Sequence, residues 1–440
     1  MTRVAIIGGG LAGMACAAAL GSAGCSVDLY ESRPFLGGRA ASYPLPGENE
    51  DNHIDNCQHI LLRCCVNLLD FYKRLGVSDA VKFEREFFFL EPGGRTSILK
   101  AGLLPAPLHF TESFAKLTFL SLWDKIAVGR ALLSIRSERK TRQDLDRISM
   151  LDWLKEKGQT PRAIERFWRQ VLVSAVNEEL DRMAASHGFQ VFWLGFLAGS
   201  NLYEMGVPAR TLSDLYRSDA WAQWPNVRLH ERCAVEKIHR SADRIARLET
   251  AAGSVEADAY VAALPYERTQ ALLPELPADW GVFQHSPITG VHLWFDQPVT
   301  DLPHGTLLDS TMQWFFNKDQ GRYLLLVVSA SRSLTPMSRQ DVIDLALREL
   351  AGFLPAVRQA KLVKAHVVKE VRATFSASPG LEAKRPGNET PWRNLFLAGD
   401  WTRTGWPATM EGAVRSGYLA AEALTRSMGK PQSFLFPDVA

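Results

Sequence analysis

Three regimes of hydrophobic and polar patterning succeed one another along this chain. Residues 4–27 carry no charge at all, and within them a short apolar, β-branched run at 3–7 is followed by a glycine-rich break at 8–13. An Ala-rich stretch at 14–20 then predicts a helix, and residues 26–30 predict a second strand. Further on, Phe87-Phe88-Phe89-Leu90 and residues 289–295 read as strands. Residues 232–238 alternate with period two, and residues 258–264 (DAYVAAL) form another apolar strand-like run. Residues 105–199 read as mainly helical. Near the end, residues 395–398 predict a strand, Gly399-Asp400 a turn, residues 410–424 a helix and residues 429–440 a tail. There is no internal repeat and no low-complexity stretch.

The uncharged opening stretch would attract a hydropathy window as a membrane span or signal. Gly8, Gly9, Gly10, Gly13, Gly21 and Gly24 interrupt it, only Arg3 precedes it, and a patterned, charge-bearing segment follows at once. Both readings are therefore rejected. The whole chain, at 440 residues, exceeds one ordinary core and suits two or three domains. With 46% hydrophobic and 22% charged residues it has the material for globular folding throughout. Fifty basic against 48 acidic residues leave a net +2, which supplies no cationic field for nucleic acid. Cys16, Cys25, Cys57, Cys64, Cys65 and Cys233 show neither paired CxxC spacing nor disulfide-scaffold density, so reduced cytoplasmic thiols are expected. No HExxH, His/Cys ligand cluster or GxSxG elbow is present, and no metal is expected.

Candidate chemistry concentrates in the glycine-rich break. Strand, Gly8-Gly9-Gly10-Leu11-Ala12-Gly13, helix and strand in that order make a dinucleotide-binding turn. Gly8 serves the tight turn, Gly10 the approach of a pyrophosphate to bare backbone at a helix N-terminus, and Gly13 close helix–strand contact. Glu31, 18 residues past Gly13, ends the second strand and is the acid expected on a ribose hydroxyl. Gly37-Gly38-Arg39 then offers a second close backbone approach and a cation for a diphosphate.

Taken with the run NLFLAGDWTRTGWPATMEGAVRSGYLAAEAL at 394–424, these motifs resemble the FAD-binding parts of the amine oxidase and phytoene desaturase superfamily. The resemblance implies an α/β fold in which a Rossmann-like FAD-binding domain (1–75, 205–265 and 390–428) is interleaved with a mixed-sheet plus helical substrate domain (76–204 and 266–389). It implies non-covalent FAD held by Gly8, Gly10, Leu11, Ala12, Gly13, Glu31, Ser32, Gly37, Gly38, Arg39, Val235, Gly399, Asp400, Thr409, Met410, Gly412 and Ala413. Val235 would meet the adenine through its backbone, although residues 232–238 are equally an ordinary sheet strand. The helix after Gly399-Asp400 would turn its positive end toward the isoalloxazine.

Within that superfamily two departures disfavour an amine substrate: Thr409 stands where the aromatic cage residue falls, and Gly290 where the strand lysine falls. Asp55-Asn56-Cys57-Gln58-His59-Ile60-Leu61, Leu69-Asp70-Phe71-Tyr72 and the run from Gly405 to Gly412 resemble bacterial hydroxysqualene dehydroxylases of hopanoid synthesis. That resemblance implies reductive loss of an allylic hydroxyl from a C30 isoprenoid. Plant-type phytoene desaturases are the alternative, with amine oxidases and the non-catalytic prenyl-binding GDP-dissociation inhibitors behind them. His59 is the candidate proton donor. Asp55 would orient His59 or its loop, and Trp406 and Trp314 would offer ring faces to a cation. A histidine merely bonded to backbone and indoles merely packed are the plainer readings.

The helical region is rich in apolar residues on more than one face, from Leu103 to Trp123 and again at 191–197. Buried core helices explain this, and so does a lipid entrance resting on a membrane. Thirteen basic and seven acidic residues between 116 and 169 give that region a local +6, which suits the anionic inner face of a cell membrane. Peripheral association there is expected, with a long isoprenoid as substrate.

Overall fold

A computed structural model describes residues 1–45 and 53–439. Its first sheet is wholly parallel. Arg3–Ile7 lies at the centre, flanked by Ser26–Tyr30 and Ala259–Ala262, with Val227–His230 and Leu395–Leu397 at the edges. Its strands are nearly all apolar because both faces are covered, which is why the run reads as continuously hydrophobic rather than alternating. The helix Leu11–Ser22 follows the glycine-rich turn and lies against the C-terminal helix Met410–Ser427. The two backbones approach so closely that a methyl on Gly417 would stand 2.2 Å from the Ala12 carbonyl oxygen.

The second sheet has seven strands, ordered Leu362–Phe375, His285–Phe295, Tyr323–Ser329, Trp314–Asp319, His304–Leu307, Glu86–Leu90 and Thr96–Lys100. All its pairings are antiparallel except that of His304–Leu307 with Glu86–Leu90. Here alternation matters. Val291, Leu293, Phe315, Leu324, Leu326 and Leu90 turn to one face, where the helix Arg339–Phe353 covers them. The opposite face carries Gly290, His292, Leu325, Val327, Trp314, Phe316, His304 and Phe87 toward the rest of the protein. The mixed α/β class expected from the sequence is thus the one observed.

Between residues 105 and 199 the chain is helical, with Leu122–Glu138, Met150–Glu156, Arg169–Val176 and Ala185–Phe192 as regular helices and π turns at Ile164–Trp168 and Trp193–Leu197. The two explanations for its apolar residues divide by position. Phe192, Leu194, Phe196 and Leu197 are buried, as are Leu117, Phe119 and Leu120. Leu103, Leu104, Leu108, Leu122, Trp123, Ile126 and Leu133 face solvent, with Leu103 fully exposed and Trp123 at 75%. Leu122–Glu138 buries Val128, Ala131 and Ile135 and turns Leu122, Trp123, Ile126 and Leu133 outward. Among the described residues no helix is long and apolar enough to cross a membrane.

Several boundaries moved for identifiable reasons. The strand expected at 232–238 spans Val235–Ser241, because Arg232 adopts φ 55° and its amide bonds the Arg33 carbonyl, so 232–234 form a turn. Residues 289–295 extend back to His285 beyond an irregularity between Ser286 and Ile288. The C-terminal segment lies on the protein: Asn67 brackets Phe436 through both its amide and its carbonyl, and Asp438 accepts from Trp406 Nε1 at 3.0 Å and from Arg415 at 2.9 Å.

Candidate active site

The turn after Arg3–Ile7 is built by sterics. Gly8 has φ +106° and its added methyl would sit 2.4 Å from the Ala263 carbonyl oxygen, while one on Gly13 would sit 2.0 Å from the Gly8 oxygen. No other residue fits either place. Gly10 is different: a methyl there would find nothing nearer than 4.0 Å, and that atom is the Gly38 Cα. Gly10 caps Leu11–Ser22 without a side-chain bond, so the first amides of that helix look onto open space. Gly10 and Gly37 are joined by a parallel bridge, which brings the second glycine pair over the same space.

Glu31 is buried at the end of its strand. Its Oε2 accepts from the Gly9 amide at 2.8 Å, and its Oε1 accepts from the Arg33 amide at 2.8 Å and from Ser32 Oγ at 3.1 Å. The Cys233 amide donates to the Glu31 carbonyl at 2.8 Å, which carries the chain toward Val235 beside this corner. Arg39 departs from the expectation of a cation held free for a diphosphate. Its guanidinium donates to Asp400 Oδ1 at 2.7 Å and to the Ala373 carbonyl at 2.9 Å. Asp400 neutralises the charge locally, and the pair instead fastens the N-terminal cradle to the C-terminal motif.

That motif is shaped by a residue the sequence reading missed. Arg385, almost wholly buried, donates to the carbonyls of Asp400, Thr402 and Trp406 and to Thr404 Oγ1, and pairs with Glu382 at 2.5 Å. One guanidinium therefore knits Gly399 to Trp406 into a fixed loop. Thr409 caps the helix Met410–Ser427 by accepting from the Gly412 amide at 3.0 Å, leaving the Met410 and Glu411 amides at the free end and Ala413 in the first turn. Glu411 points the other way and accepts from the Leu68 amide at 2.7 Å and from Asn67, capping the helix Val66–Arg74.

These features fit FAD: a buried ribose-type acid, a helix N-terminus left open at Gly10, a second glycine pair above it, and a second capped helix opening at Met410. FAD supplies two-electron redox chemistry there when bound.

The Asp55–His59 loop is tied to the cradle through Asn56. The Asn56 amide donates to the Ala41 carbonyl at 3.0 Å and its Nδ2 to the Arg39 carbonyl at 3.2 Å. His59 is oriented by the Cys57 carbonyl, 2.8 Å from Nδ1, which leaves Nε2 as the exchangeable nitrogen. Burial, partly opposed by the Cys57 carbonyl and Asp55, pushes this imidazole below its ordinary range, so it is mostly neutral rather than the ready imidazolium first expected. Asp55 orients the loop: it accepts from Ser42 Oγ at 2.6 Å and the Leu212 amide at 3.2 Å and pairs with Lys318 at 3.6 Å. Lys318, sequence-distant, gave no signal beforehand.

The two tryptophans part company. Trp314 lies on the inward face of the large sheet, stacked with Phe316 at 5.9 Å and bonded to Ser174. Trp406 is buried with Cys64, Leu194 and Leu202, and the Arg415 guanidinium already sits 5.7 Å from its ring centre. A ring face carrying one cation is poorly placed to stabilise another, so Trp406 is corrected from a catalytic candidate to a packing residue tied to Asp438.

A dinucleotide fold with this cradle defines a flavin-dependent oxidoreductase. Residues 11–425 match the flavin containing amine oxidoreductases, and the chain belongs to that family. Among curated relatives, a probable zeta-carotene desaturase of Synechococcus elongatus is 28% identical, covering 96% of this chain and 98% of its own length. The zeta-carotene desaturase of Zea mays is 27% identical over 94% of this chain and 82% of its own. A 15-cis-phytoene desaturase of Synechococcus elongatus is 27% identical over 98% of both. The fold is similar to an oxidoreductase from Methanosarcina mazei, with TM-score 0.71, 18% identity and coverage of 94% and 98%. It is also similar to putrescine oxidase bound to putrescine, at TM-score 0.68, 16% identity and coverage of 97% and 98%.

Proposed function

We propose that this enzyme binds FAD without a covalent link and uses it in reduced form to replace the hydroxyl of hydroxysqualene with hydrogen, giving squalene and water. The carrying observation is His59. It is a part-buried imidazole held at Nδ1 by the Cys57 carbonyl, with no hydrogen bond to Nε2 among the described residues, on a loop that Asn56 ties to the Arg39 carbonyl of the cradle. Removing hydrogen from a hydrocarbon gives such a group nothing to protonate. Losing a hydroxyl does: one proton goes to the departing oxygen, a hydride fills the carbon, and water leaves. A two-electron donor must first reduce the flavin.

The chain's own contributions are then separable. His59 Nε2 delivers the proton to the hydroxyl oxygen. Asp55, anchored by Ser42 and Lys318, keeps the loop in place. Leu325, Val327, Trp314, Phe316 and Phe87 line an apolar, aromatic face that holds a C30 chain and keeps water from the allylic cation. The exposed Leu103, Leu104, Leu108, Leu122, Trp123, Ile126 and Leu133, with Lys116, Arg130 and Arg136 beside them, rest on an anionic membrane at its cytoplasmic face and admit the lipid.

No Cys lies between Asp400 and Gly412, where a flavin thioether would form, so acid precipitation should release all the flavin. The names of the curated relatives favour a second reading, desaturation of a carotenoid precursor by oxidised FAD. Anaerobic incubation of reduced enzyme with hydroxysqualene, and of oxidised enzyme with phytoene, separates the two by product.

A further inference from the structure

The inward face of the large sheet carries buried imidazoles among its apolar side chains, His304 on one strand and His292 next to Gly290 on another. Gly290, His292 and Trp294 alternate on the same side of His285–Phe295. His292 is completely buried. Its Nδ1 is 2.7 Å from the Tyr323 hydroxyl, and its Nε2 has no hydrogen-bond partner among the described residues. An orphaned imidazole nitrogen in the core is costly, by the desolvation of an unmet polar group. Trp294 and Tyr323 stack beside the ring, with interplanar angles of 16° and 26° to it, and fix its plane.

The orphan nitrogen lies near the bare backbone of Gly290. A methyl built on Gly290 would stand 3.8 Å from His292 Nε2, 3.8 Å from the Asn56 carbonyl oxygen and 3.6 Å from Leu325 Cδ1. The lack of a side chain at Gly290 keeps the space between a ring nitrogen and a carbonyl oxygen clear. This place is linked to the cofactor cradle: Gly10 and Gly37 are bridged, the Arg39 carbonyl accepts from Asn56 Nδ2, and the Asn56 carbonyl oxygen would lie 3.8 Å from a methyl on Gly290. When the Tyr323 hydroxyl donates to Nδ1, the neutral ring carries its hydrogen on Nε2. Burial lowers the imidazole pKa to about 3, so the ring stays neutral and acts as a donor rather than an acid.

We propose that His292, held by Tyr323, is the specificity residue that receives a substrate hydroxyl, with Nε2–H donating to the hydroxyl oxygen and the Asn56 carbonyl accepting its hydrogen above Gly290. The proposal rests on the reading of an alcohol substrate. It makes the enzyme a reader of the hydroxyl itself, since a hydrocarbon of the same length would leave both polar groups unmet.

The test is equilibrium binding to oxidised holoenzyme, read from perturbation of the flavin absorption spectrum, with hydroxysqualene and squalene as paired probes. Wild type should bind the alcohol roughly 10- to 100-fold more tightly than the hydrocarbon. His292→Leu should abolish that preference with squalene binding unchanged, and His292→Gln, which can place an N–H near the Nε2 position, should restore most of it. Tyr323→Phe, which removes only a hydroxyl, should cut the preference several-fold and serves if His292→Leu fails to fold. A preference that survives both His292→Leu and Tyr323→Phe, or equal weakening of both probes, would overturn the assignment. The failure of the dehydroxylation reading looks different: alcohol preference that depends on His292, but no oxidation of the reduced flavin by hydroxysqualene.

Discussion

Gly10 and Gly13 lie three residues apart in one turn, yet the structure assigns them opposite costs. Gly10 has φ −73° and ψ 176°, an ordinary extended conformation, and a methyl there meets nothing within 4.0 Å. Gly10→Ala should therefore leave the flavin-free protein intact, and restricting the unfolded chain should add about 0.4–1 kcal/mol of stability. Its methyl does fill the space through which a diphosphate reaches the helix amides. Losing two charge-assisted hydrogen bonds at about 1.5–3 kcal/mol each predicts a loss of about 3–6 kcal/mol in FAD binding, or about 10²- to 10⁴-fold in Kd. Gly13→Ala puts its methyl 2.0 Å from the Gly8 oxygen and should destabilise the apo-protein itself by about 3 kcal/mol. Denaturant unfolding of the apo-proteins and FAD titration by fluorescence quenching read the two quantities separately. Gly10→Ala apo-protein weakened by more than about 1 kcal/mol, or FAD affinity within about threefold of wild type, would refute the reasoning.

Three further outcomes are expected. Burial depresses His187, His292 and His304 from 6.5 to about 4, 3 and 4, so the stability each gives as a neutral ring is present above pH 6.5 and lost as pH falls below it. These three rings together should take about 4 kcal/mol per pH unit off the unfolding free energy near pH 5.5, and His304→Phe should lessen the measured slope by about 1 kcal/mol per pH unit; an unchanged slope contradicts the assignment. His59→Ala should slow oxidation of the reduced flavin by hydroxysqualene about 10²-fold. In wild type that rate should fall as pH rises through a pKa below 6.5, because the proton is held only on the acid side, with Asp55 favouring it and Lys318 and Arg39 opposing it; a flat profile would remove His59 from the step. Vesicle co-sedimentation should need anionic lipid, weaken with salt and fail in a Trp123→Glu, Leu133→Glu double variant, whereas binding indifferent to lipid charge and to the variant would remove the proposed docking face.

What was legible in the sequence was local. Strand, Gly8, Gly10, Gly13, helix and Glu31 occupy contiguous residues, and the left-handed φ of Gly8 and the contact of Gly13 with the Gly8 oxygen are set within the turn itself, so spacing alone revealed it. The strand runs at 87–90 and 289–295 were readable for the same reason, but the extension back to His285 was not. Contacts set by the fold were not: Lys318 reaches Asp55 and Tyr323 reaches His292 only after the seven-stranded sheet has formed. Arg385 looks like any surface arginine until a loop of carbonyls closes around it. Trp406 misled because an indole's usefulness depends on what already occupies its face. At Gly290 the sequence showed what was absent, a lysine, but not that the neighbouring His292 would point an unpaired nitrogen into the opening.

The direction of electron flow is read by anaerobic stopped-flow mixing of photoreduced holoenzyme with hydroxysqualene, following the return of oxidised flavin absorbance and identifying the product. Hydroxysqualene should restore the absorbance with stoichiometric squalene, and phytoene should not bleach the oxidised enzyme. Reduced flavin indifferent to hydroxysqualene, together with bleaching of oxidised flavin by phytoene, would contradict it.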